Sequence, residues 1–444
     1  MASASKLTTM STKLQRIVEL AKQNPEMGFT SLAYFIDMDW LYEAYRRTRK
    51  DGAVGVDGQT AEAYAANLEE NLQLLLNRAK SGTYKAPPVR RVHIPKGTSR
   101  NETRPIGIPT FEDKILQRAV TMVLEAIYEQ DFLDCSYGFR PGRSAHKALE
   151  SMRDQIMATK GGWILELDIR KFFDTMNHTH LRNFLRQRVQ DGVLNRLIGK
   201  WLKAGVFEEG CIKRPEDGSP QGGVISPILS NVYLHYVLDT WFEREVKPHM
   251  KGQAFLTRYA DDAVMVFSHE EDAQRVLDVL PKRFGRFGLT LHPMKTCVVK
   301  FRPPTQNKSS DGKRAFDLLG FTHYWARSRR GYWVVKRKTS QQRFSRSLHA
   351  INQWCKTHRH QKVREQHQTL VKKLRGHYEY YGITGNTNAL RCFHYEVKRI
   401  WKKWLSHRSQ RSYIDWPRFT EMLERYPLPH PRAVHSIYRN VAKR

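Results

Sequence analysis

Two adjacent carboxylates, Asp261 and Asp262, stand inside the otherwise mostly apolar stretch RYADDAVMVF. The flanking residues are typical of a β-hairpin whose turn carries both acids. A third acid, Asp168, ends the apolar run GGWILELD, which predicts a buried strand. Aspartate is common in solvated turns, so the pair alone is equally compatible with a plain turn. If a mixed sheet places Asp168 beside the hairpin, three carboxylates meet at one edge and repel one another unless cations lie between them.

Charge is the clearest signal in the composition. The 444 residues carry a formal net charge of +31, and residues 324–444 alone hold 28 basic against 6 acidic side chains. These basic runs are interleaved with aromatic residues, as in WVVKRK and KRIWKKWL. A single basic run is usually a solvated face, but an excess of this size predicts a polyanionic partner. Nucleic acid fits, because phosphates pair with Lys and Arg while bases stack on rings.

Apolar periodicity predicts the elements that position the acids. Helical patterns cover 11–22, 31–49, 60–80, 111–130, 143–158, 178–203 and 270–287, and a basic helical region runs over 340–425. Strand patterns cover a hairpin at 87–109, strands at 161–169, 296–301 and 316–319, and hairpins at 255–267 and 321–335. A Gly/Pro loop, GSPQGG, precedes a long helix. The five scattered cysteines include no CxxC pair, which argues against a disulfide framework or a cysteine zinc finger.

The acids and the charge together predict a chemistry. Mg²⁺ takes oxygen ligands and keeps coordination positions for substrate phosphates. A carboxylate cluster in a protein that binds nucleic acid therefore predicts a two-metal site for phosphoryl transfer, in which no dedicated base is needed.

The ordered motifs resemble a known family. LELDIRKFFD, SPQGG, YADD and HPMKTCVV occur in the order of the palm motifs of reverse transcriptases. Over about residues 50–425 the sequence resembles the group II intron-encoded reverse transcriptase/maturases more specifically. The motifs that carry this resemblance are GAVGVDG, RVHIPKG, RPIGIP, SYGFRPGRSAH, SPQGGVISPILSN, FDLLGFTHY and LRGHYEYYGITGN. YADD alone is weak evidence, whereas the ordered set is very specific.

The resemblance implies site residues. Asp168, Asp261 and Asp262 match the catalytic carboxylates, which bind two Mg²⁺ ions (Mn²⁺ is a possible substitute) with help from the Ile169 carbonyl. Phe173 matches an aromatic gate that excludes the 2′-hydroxyl of ribonucleotides. From the residues alone, Phe173 is also compatible with ordinary core next to Phe172.

Further positions match nucleotide contacts of the family. Lys96 and Arg104 lie on the hairpin that resembles the fingers, where cations would cover the triphosphate, although both are also compatible with plain surface cations. Gln221 matches a glutamine that contacts the nucleotide. Lys295 matches a lysine proposed to protonate the leaving pyrophosphate, and a simple salt bridge to the triphosphate would look the same in the sequence.

The implied architecture is α+β: a right-hand polymerase with fingers, a mixed or antiparallel palm sheet packed on helices, and a helical thumb/maturase region. We expect an N-terminal helical extension at 1–76, fingers and palm at 77–323, the basic thumb/maturase domain at 324–425 and a tail at 426–444. The candidate RNA-binding side chains are all basic and lie in the thumb/maturase domain: Lys336, Arg337, Lys338, Lys372, Lys373, Arg375, Lys402 and Lys403.

The expected function is RNA-directed DNA polymerisation with intron RNA binding that promotes splicing and mobility. The expected partners are an RNA template with a DNA primer, dNTPs, intron RNA and target DNA, in the bacterial cytoplasm or on the nucleoid, without a membrane; the sequence leaves the oligomeric state open. The HNH endonuclease domain of some members is expected to be absent. Two alternatives stay open: an RNA chaperone with secondary polymerase activity, and a domesticated enzyme of defence or repair.

Overall fold

The structure is a computed structural model. It describes residues 2–95, 103–208, 211–213, 218, 222–304, 315–409 and 412–435, with the backbone alone for residues 2–10 and 213. The described helices are α1 (Ala2–Gln23), α2 (Met38–Arg47), α3 (Ala61–Ala65), α4 (Leu68–Ser81), α5 (Phe111–Asp131), α6 (Ala145–Ala158), α7 (Phe172–Thr175), α8 (His178–Arg188), α9 (Gly192–Leu202), α10 (Ser226–Leu234), α11 (Glu270–Arg286), α12 (Gln341–Thr357), α13 (Val363–Tyr381), α14 (Thr387–Ser406) and α15 (Trp416–Arg425).

Single helical turns add to these helices. Short 3₁₀ turns cover Leu32–Tyr34 and Lys247–His249, and wider π turns cover His235–Asp239 and Phe242–Val246. The described strands are β1 (Val89–Pro95), β2 (Thr103–Ile108), β3 (Gly162–Leu167), β4 (Val206–Glu208), β5 (Cys211–Lys213), β6 (Ala254–Tyr259), β7 (Asp262–Phe267), β8 (Cys297–Phe301), β9 (Ala315–Leu318), β10 (Phe321–Arg327) and β11 (Trp333–Thr339). The mixture of helices and sheets confirms the predicted α+β class.

The described chain divides into two compact units, with the main division between residues 298 and 299. The first unit holds α1–α5, most of α6, α7–α11 and β1–β7, and the division falls within β8. The second unit holds the rest of the chain together with residues 156–161. The predicted division into extension, fingers with palm, thumb and tail stays a prediction, because compactness does not assign these parts a function.

The acids lie on the sheet ordered β6-β7-β3-β8. Its central strands β3 (GWILEL) and β7 (DAVMVF) are apolar and mostly buried, as expected for strands covered on both faces. A second sheet, β2-β1-β4-β5, contains the hairpin β1–β2, in which Ile94 faces Arg104.

Helix α5 forms the centre of the first unit's core. Thr110 caps it by accepting a hydrogen bond from the Asp113 N–H, and two acids in the first turn suit the positive end of the helix dipole. The buried Trp40 of α2 donates its indole N–H to the carbonyl of Ala119, 2.9 Å away. This core supports the sheet that carries the acids.

The second unit contains the sheet β11-β10-β9 and helices α12–α15. Its helical core surrounds Trp401, whose indole N–H donates to Gln366 Oε1 at 2.9 Å. Tyr378 lies in this core and its hydroxyl bonds His394 Nδ1 at 3.0 Å, so this tyrosine of LRGHYEYYG is a packing residue. No helix in the described part of the chain is long and apolar enough to cross a membrane.

Candidate active site

Asp261 lies at the tip of a tight hairpin. Tyr259 of β6 faces Asp262 of β7, which leaves Ala260 and Asp261 as a two-residue loop. Ala260 has a φ of 56°, in the left-handed region, as a mirror-image hairpin turn requires at its first central residue. Such a turn matches the twist of the flanking strands, and a non-glycine residue is strained there. The surrounding structure must therefore hold this turn in place.

Asp168 lies beside the same turn. In the antiparallel pairing of β3 with β7, Leu167 faces Ala263, and Asp168 and Asp262 are the next residue on each strand. Continuing this register by one residue places Asp168 opposite Asp262, with Cα atoms about 5 Å apart. Opposite residues of neighbouring strands point to the same face of a sheet. The register therefore brings the acids from two distant segments to one edge.

The electrostatics of Asp261 agree with this proximity. Burial raises the pKa of the Asp261 carboxyl above its ordinary value, and the negative charge of Asp168 raises it further. The positive charge of Arg104 acts in the opposite direction on the same pKa. Arg104 is an exposed residue of β2, so the hairpin that resembles the fingers brings one cation within electrostatic range of the acids.

Lys295 forms an ion pair with one of the acids. Its Nζ lies 2.9 Å from Asp168 Oδ2, and the two side chains are 55% and 33% exposed. The Asp168 carbonyl accepts a hydrogen bond from the N–H of His292 at 2.8 Å, which ties the HPMKT segment to the end of β3. The cation of Lys295 therefore relieves part of the repulsion among the acids.

Ile169 directly follows Asp168 and has a buried side chain. It forms an isolated antiparallel bridge with Leu291. The flanking hydrogen bonds run from Arg170 N–H to Thr290 and from His292 N–H to Asp168. These bonds use neither the N–H nor the carbonyl of Ile169, so the bridge leaves that carbonyl without a role in the ladder.

Phe173 belongs to the one-turn helix α7 that follows Asp168. Phe172 is 2% exposed, whereas Phe173 is half-buried at the edge of the core, with its ring 5.4 Å from that of Phe172. Gly218 packs against this turn, since a Cβ there would approach the Phe173 carbonyl to 2.9 Å. The imidazole of His178 bonds the Gly218 carbonyl. Part of the Phe173 ring thus remains accessible, close in sequence to the end of β3 where Asp168 lies.

Two predicted nucleotide contacts, Lys96 and Gln221, lie outside the described residues. Gly222, which follows Gln221, is described, with a φ of 114°. A Cβ on Gly222 would lie 2.6 Å from the Gly107 carbonyl and 2.7 Å from Ile106 Cγ2. The end of the SPQGG loop therefore packs directly against β2, and only glycine fits there.

A buried network that the sequence analysis missed holds the acid turn. Arg258 and Asp239 are both fully buried and share two hydrogen bonds, of 2.7 and 2.6 Å. Burial by itself lowers the pKa of Arg258, but the Asp239 carboxylate outweighs it and the guanidinium stays charged. Arg258 also donates to the Ala260 carbonyl and to Asn231 Oδ1, each at 3.0 Å.

The same network reaches the SYGFRPG segment. Arg258 donates to Ser136 Oγ at 2.8 Å, and Asn231 donates to the Gly138 carbonyl at 2.8 Å. A Cβ on Gly138 would lie 2.2 Å from the N atom of Ala260, so this segment touches the turn itself. The signal in the sequence was an arginine and an aspartate inside apolar runs, FLTRY and YVLDTWF, where an unpaired charge would be costly.

The predicted RNA-binding side chains differ in placement. Arg337 is 5% exposed, so its guanidinium lies inside the second unit. Lys338, Lys372, Lys373, Arg375 and Lys403 are exposed, and Lys336 and Lys402 are half-buried. Several ammonium groups sit over rings: Lys373 over Trp354 at 5.7 Å, Lys403 over Trp404 at 5.3 Å, and Lys402 over both Tyr413 and Trp416 at 5.3 and 5.2 Å. Tyr413 is 72% exposed, which makes the Lys402 cluster a mixed cationic and aromatic surface.

The donor set at the acid turn fits a divalent cation. Carboxylate and carbonyl oxygens are hard ligands, and the Asp261 carboxyl, whose pKa is raised by burial, also feels the negative charge of Asp168. Across the described residues, no group of three or more His, Cys, Asp or Glu side chains is already arranged to hold a metal. Binding an ion therefore requires side-chain adjustment, including movement of Lys295 away from Asp168.

Comparisons with known proteins give a consistent result. A family model described as "Reverse transcriptase (RNA-dependent DNA polymerase)" matches residues 94–323, just over half of the chain. Protein YkfC of Escherichia coli is 40% identical over 228 residues, which are 50% of this chain and 59% of that protein. Group II intron-encoded protein LtrA of Lactococcus lactis is 38% identical over 226 residues, which are 50% of this chain and 37% of that protein.

These matches therefore cover only part of either relative. Among solved structures, telomerase from Candida albicans in complex with a fragment of telomeric RNA aligns with a TM-score of 0.44 at 13% identity, over 82% of this chain and 65% of that one. That likeness is too distant to support an argument.

Proposed function

We propose that the chain, which belongs to the reverse transcriptase (RNA-dependent DNA polymerase) family, extends a DNA 3′ end with dNTPs on an RNA template. The observation that carries the proposal is the register that sets Asp168 opposite Asp262, next to the turn that holds Asp261. Reverse transcriptases use divalent metal ions, and we propose two Mg²⁺ ions here, with Mn²⁺ as a substitute. Asp168, Asp261, Asp262 and the Ile169 carbonyl would hold them.

When bound, the two ions supply activation of the primer 3′-hydroxyl and stabilisation of the leaving pyrophosphate. The chain's own residues hold the catalytic carboxylates in position. The Arg258 network fixes the Ala260 carbonyl, and with it the direction in which Asp261 points. A buried, hydrogen-bonded support of this kind holds catalytic oxygens closely enough for in-line transfer.

The cations around the acids would serve the triphosphate. Arg104 lies within electrostatic range of Asp261, and Lys295 reaches Asp168. Either cation can leave its acid for a phosphate oxygen once metal neutralises the acid, because a charge-assisted hydrogen bond to phosphate is strong. Lys96 and Gln221 remain proposed nucleotide contacts on the strength of their motifs. Lys295 is the proposed proton donor to pyrophosphate.

Phe173 would exclude ribonucleotides. Its ring is half-buried against Phe172 and follows Asp168 by five positions, so one face can lie under the sugar. A 2′-hydroxyl in van der Waals contact with a rigid ring would clash, whereas a 2′-deoxy sugar would fit.

Similarity to the group II intron-encoded protein LtrA supports a second role on intron RNA. The observation that favours it is the cationic and aromatic surface of Lys402, Lys403, Tyr413 and Trp416 in the second unit. We assign intron RNA to this surface, with Lys336, Lys338, Lys372, Lys373 and Arg375 as further contacts. We further propose that the chain promotes splicing of the intron and its mobility into target DNA, in the bacterial cytoplasm and on the nucleoid.

Primer extension on an RNA template tests the polymerase. The variant Asp261→Ala/Asp262→Ala should lose at least about a thousandfold in rate, because several kcal/mol of charge stabilisation disappear. The control Asp134→Ala/Asp278→Ala also removes two exposed acids of the first unit and should extend normally. Template affinity should change less than about twofold in both. Full-rate extension by the first variant would refute the site.

The same variant separates the two roles. If the second unit carries the RNA role, Asp261→Ala/Asp262→Ala should still promote excision of a cognate intron at low Mg²⁺. Loss of splicing together with polymerisation, at unchanged RNA affinity, would contradict separate surfaces.

A further inference from the structure

A basic groove lies on the first unit, between helices α8 and α9. It encloses about 620 Å³ and is lined by Arg182, Arg186, Gln190, Asn195 and Arg196, with two glycines. Arg186 and Arg196 are exposed and Arg182 is half-buried. None of these residues belongs to the acid turn, to the hairpin β1–β2 or to the thumb/maturase region. The groove is therefore a separate cationic feature of the molecule.

The three guanidinium groups have no acidic partner in the part of the chain that the structure describes. Within the described residues, none of Arg182, Arg186 and Arg196 forms a salt bridge, although many other arginines of the first unit do. Arg182 and Arg186 are four residues apart on one helix, about 6 Å along its axis, where like charges destabilise the helix slightly. Three unpaired cations around one concave surface raise the local potential and favour an anionic ligand.

Buried hydrogen bonds fix the segment that joins α8 to α9, beside the groove. Arg188 is 3% exposed and donates to the carbonyls of Asn24 and Met27 at 2.8 Å, while it pairs with Asp131 at 2.8 Å. The Gln190 N–H donates to the Phe29 carbonyl, and the Phe29 N–H donates to the Arg188 carbonyl, each at 2.8 Å. The segment between α8 and α9 is thus fixed to the N-terminal region. The two helices, and the arginines that they carry into the groove, therefore keep their spacing without a ligand.

Asp191 and Asn195 fix the start of α9 through internal hydrogen bonds. Asp191 caps α9 through the N–H groups of Val193 and Leu194, and its other oxygen accepts from Ala33. Asn195 donates to the carbonyls of Val189 and Asp191 at 2.9 Å. These bonds hold the Asp191 carboxylate away from the surface, with the residue 3% exposed, and among the described residues it forms no salt bridge with the arginines of the groove.

We infer that this groove binds the phosphate backbone of an RNA double helix. The lining holds arginine, amide and glycine residues and no aromatic ring. Proteins that bind single strands stack bases on rings, whereas duplex RNA is contacted through phosphates and 2′-hydroxyls. Gln190 supplies an amide suited to such hydroxyls. The cluster at Lys402, in contrast, has the rings that a single strand requires.

The inference does not depend on the catalytic assignment. Helix α8 begins at His178, which holds Gly218, and Arg186 lies two turns farther, about 12 Å along the axis. A duplex in the groove would anchor a structured RNA to the enzyme at a place apart from the growing 3′ end of the primer. The groove would thus add affinity for structured RNA, without contact to the reacting atoms.

The test is equilibrium binding of the full chain to a labelled RNA hairpin and to oligo(U), over a range of salt. The variant Arg182→Gln/Arg186→Gln/Arg196→Gln should reduce the salt slope for the hairpin by about 2 and its affinity roughly tenfold or more at moderate salt. Oligo(U) affinity should stay within about twofold. The control Lys282→Gln/Arg286→Gln removes another exposed i, i+4 pair from α11 and should affect neither probe.

Hydrogen exchange on the unmodified chain supplies a second readout that needs no variant. Saturating hairpin should protect amides of residues 178–202, and oligo(U) should not. Equal losses for both RNA probes, losses matched by the control variant, or absence of protection in 178–202 would each overturn the inference. These binding readouts are independent of polymerisation, so their failure is distinguishable from failure of the proposed catalytic site.

Discussion

Removing the charge of Asp239 should both destabilise the first unit and disable the acid turn. The substitution Asp239→Asn keeps the size of the side chain but leaves the fully buried guanidinium of Arg258 without its counter-charge. Breaking a buried ion pair on one side costs about 3–5 kcal/mol in the free energy of unfolding. The charged hydrogen bonds at 2.6 and 2.7 Å place this pair among the stronger cases.

The expected shift in Tm follows from the size of the unit. About 290 residues belong to the first unit. At about 2.1 cal/mol/K per residue, the entropy of unfolding is roughly 0.6 kcal/mol/K, so Tm should fall by about 5–8 °C. Calorimetry measures this shift. Glu243→Ala, which removes a partially exposed pair with Lys247 one helical turn away, should cost less than about 1 kcal/mol.

A double variant separates stability from positioning. Arg258→Met/Asp239→Leu replaces the pair by apolar groups of similar size and should recover most of the lost stability. It also removes the donor to the Ala260 carbonyl, so RNA-templated extension should remain at least about tenfold below normal. If the free energy of unfolding of Asp239→Asn lay within about 1 kcal/mol of that of the unmodified chain, the predicted stabilisation by the buried pair would be wrong. Full extension by the double variant would show that Arg258 does not position the turn.

Three further predictions concern the site. Phe173→Ala should increase incorporation of rNTPs relative to dNTPs, measured by single-nucleotide extension, and unchanged discrimination would contradict the gate. Asp261→Asn should raise Tm at pH 8 and not at pH 3.5. Burial raises the pKa of the Asp261 carboxyl, so ionisation of this carboxyl destabilises the fold as the pH rises through that pKa. A Tm difference between variant and unmodified chain that is the same at both pH values would contradict this prediction. Gly138→Ala should lower extension at least about tenfold, because its Cβ would lie 2.2 Å from the N atom of Ala260, and normal extension would show that the turn is tolerant.

Local pattern predicted most elements well. The hairpin over 255–267 and helix α5 have strong signals, because their apolar residues follow periods of 2 and 3.6 and their ends carry turn or capping residues. The short strands β4 and β5 have three residues each, too few for any period to be visible. The predicted long helix after GSPQGG is interrupted by π turns at His235–Asp239 and Phe242–Val246, which periodicity does not reveal.

The site was predictable where motifs carry it and not where tertiary contacts do. The acids and Phe173 stand in recognisable runs, and the register of β3 with β7 brings the acids together. The side-chain partners of Arg258 come from two segments distant from it in the sequence, the helical stretch that holds Asn231 and Asp239 and the loop that holds Ser136, so no spacing in the sequence indicates them. The burial of Arg337 was equally hidden, because alternation along β11 could place either face inward.

Anomalous diffraction from manganese would show directly whether Asp168 and Asp261 bind the two proposed metal ions. Crystals of the chain with an RNA template, a DNA primer ending in a 3′-deoxy sugar, an incoming dNTP and Mn²⁺ would be measured at the manganese edge. We expect two manganese peaks about 4 Å apart, within ligand distance of the Asp168 and Asp261 carboxylates. Lys295 should then be displaced from Asp168. Manganese bound to the triphosphate alone, with Asp168 still paired to Lys295, would contradict this expectation.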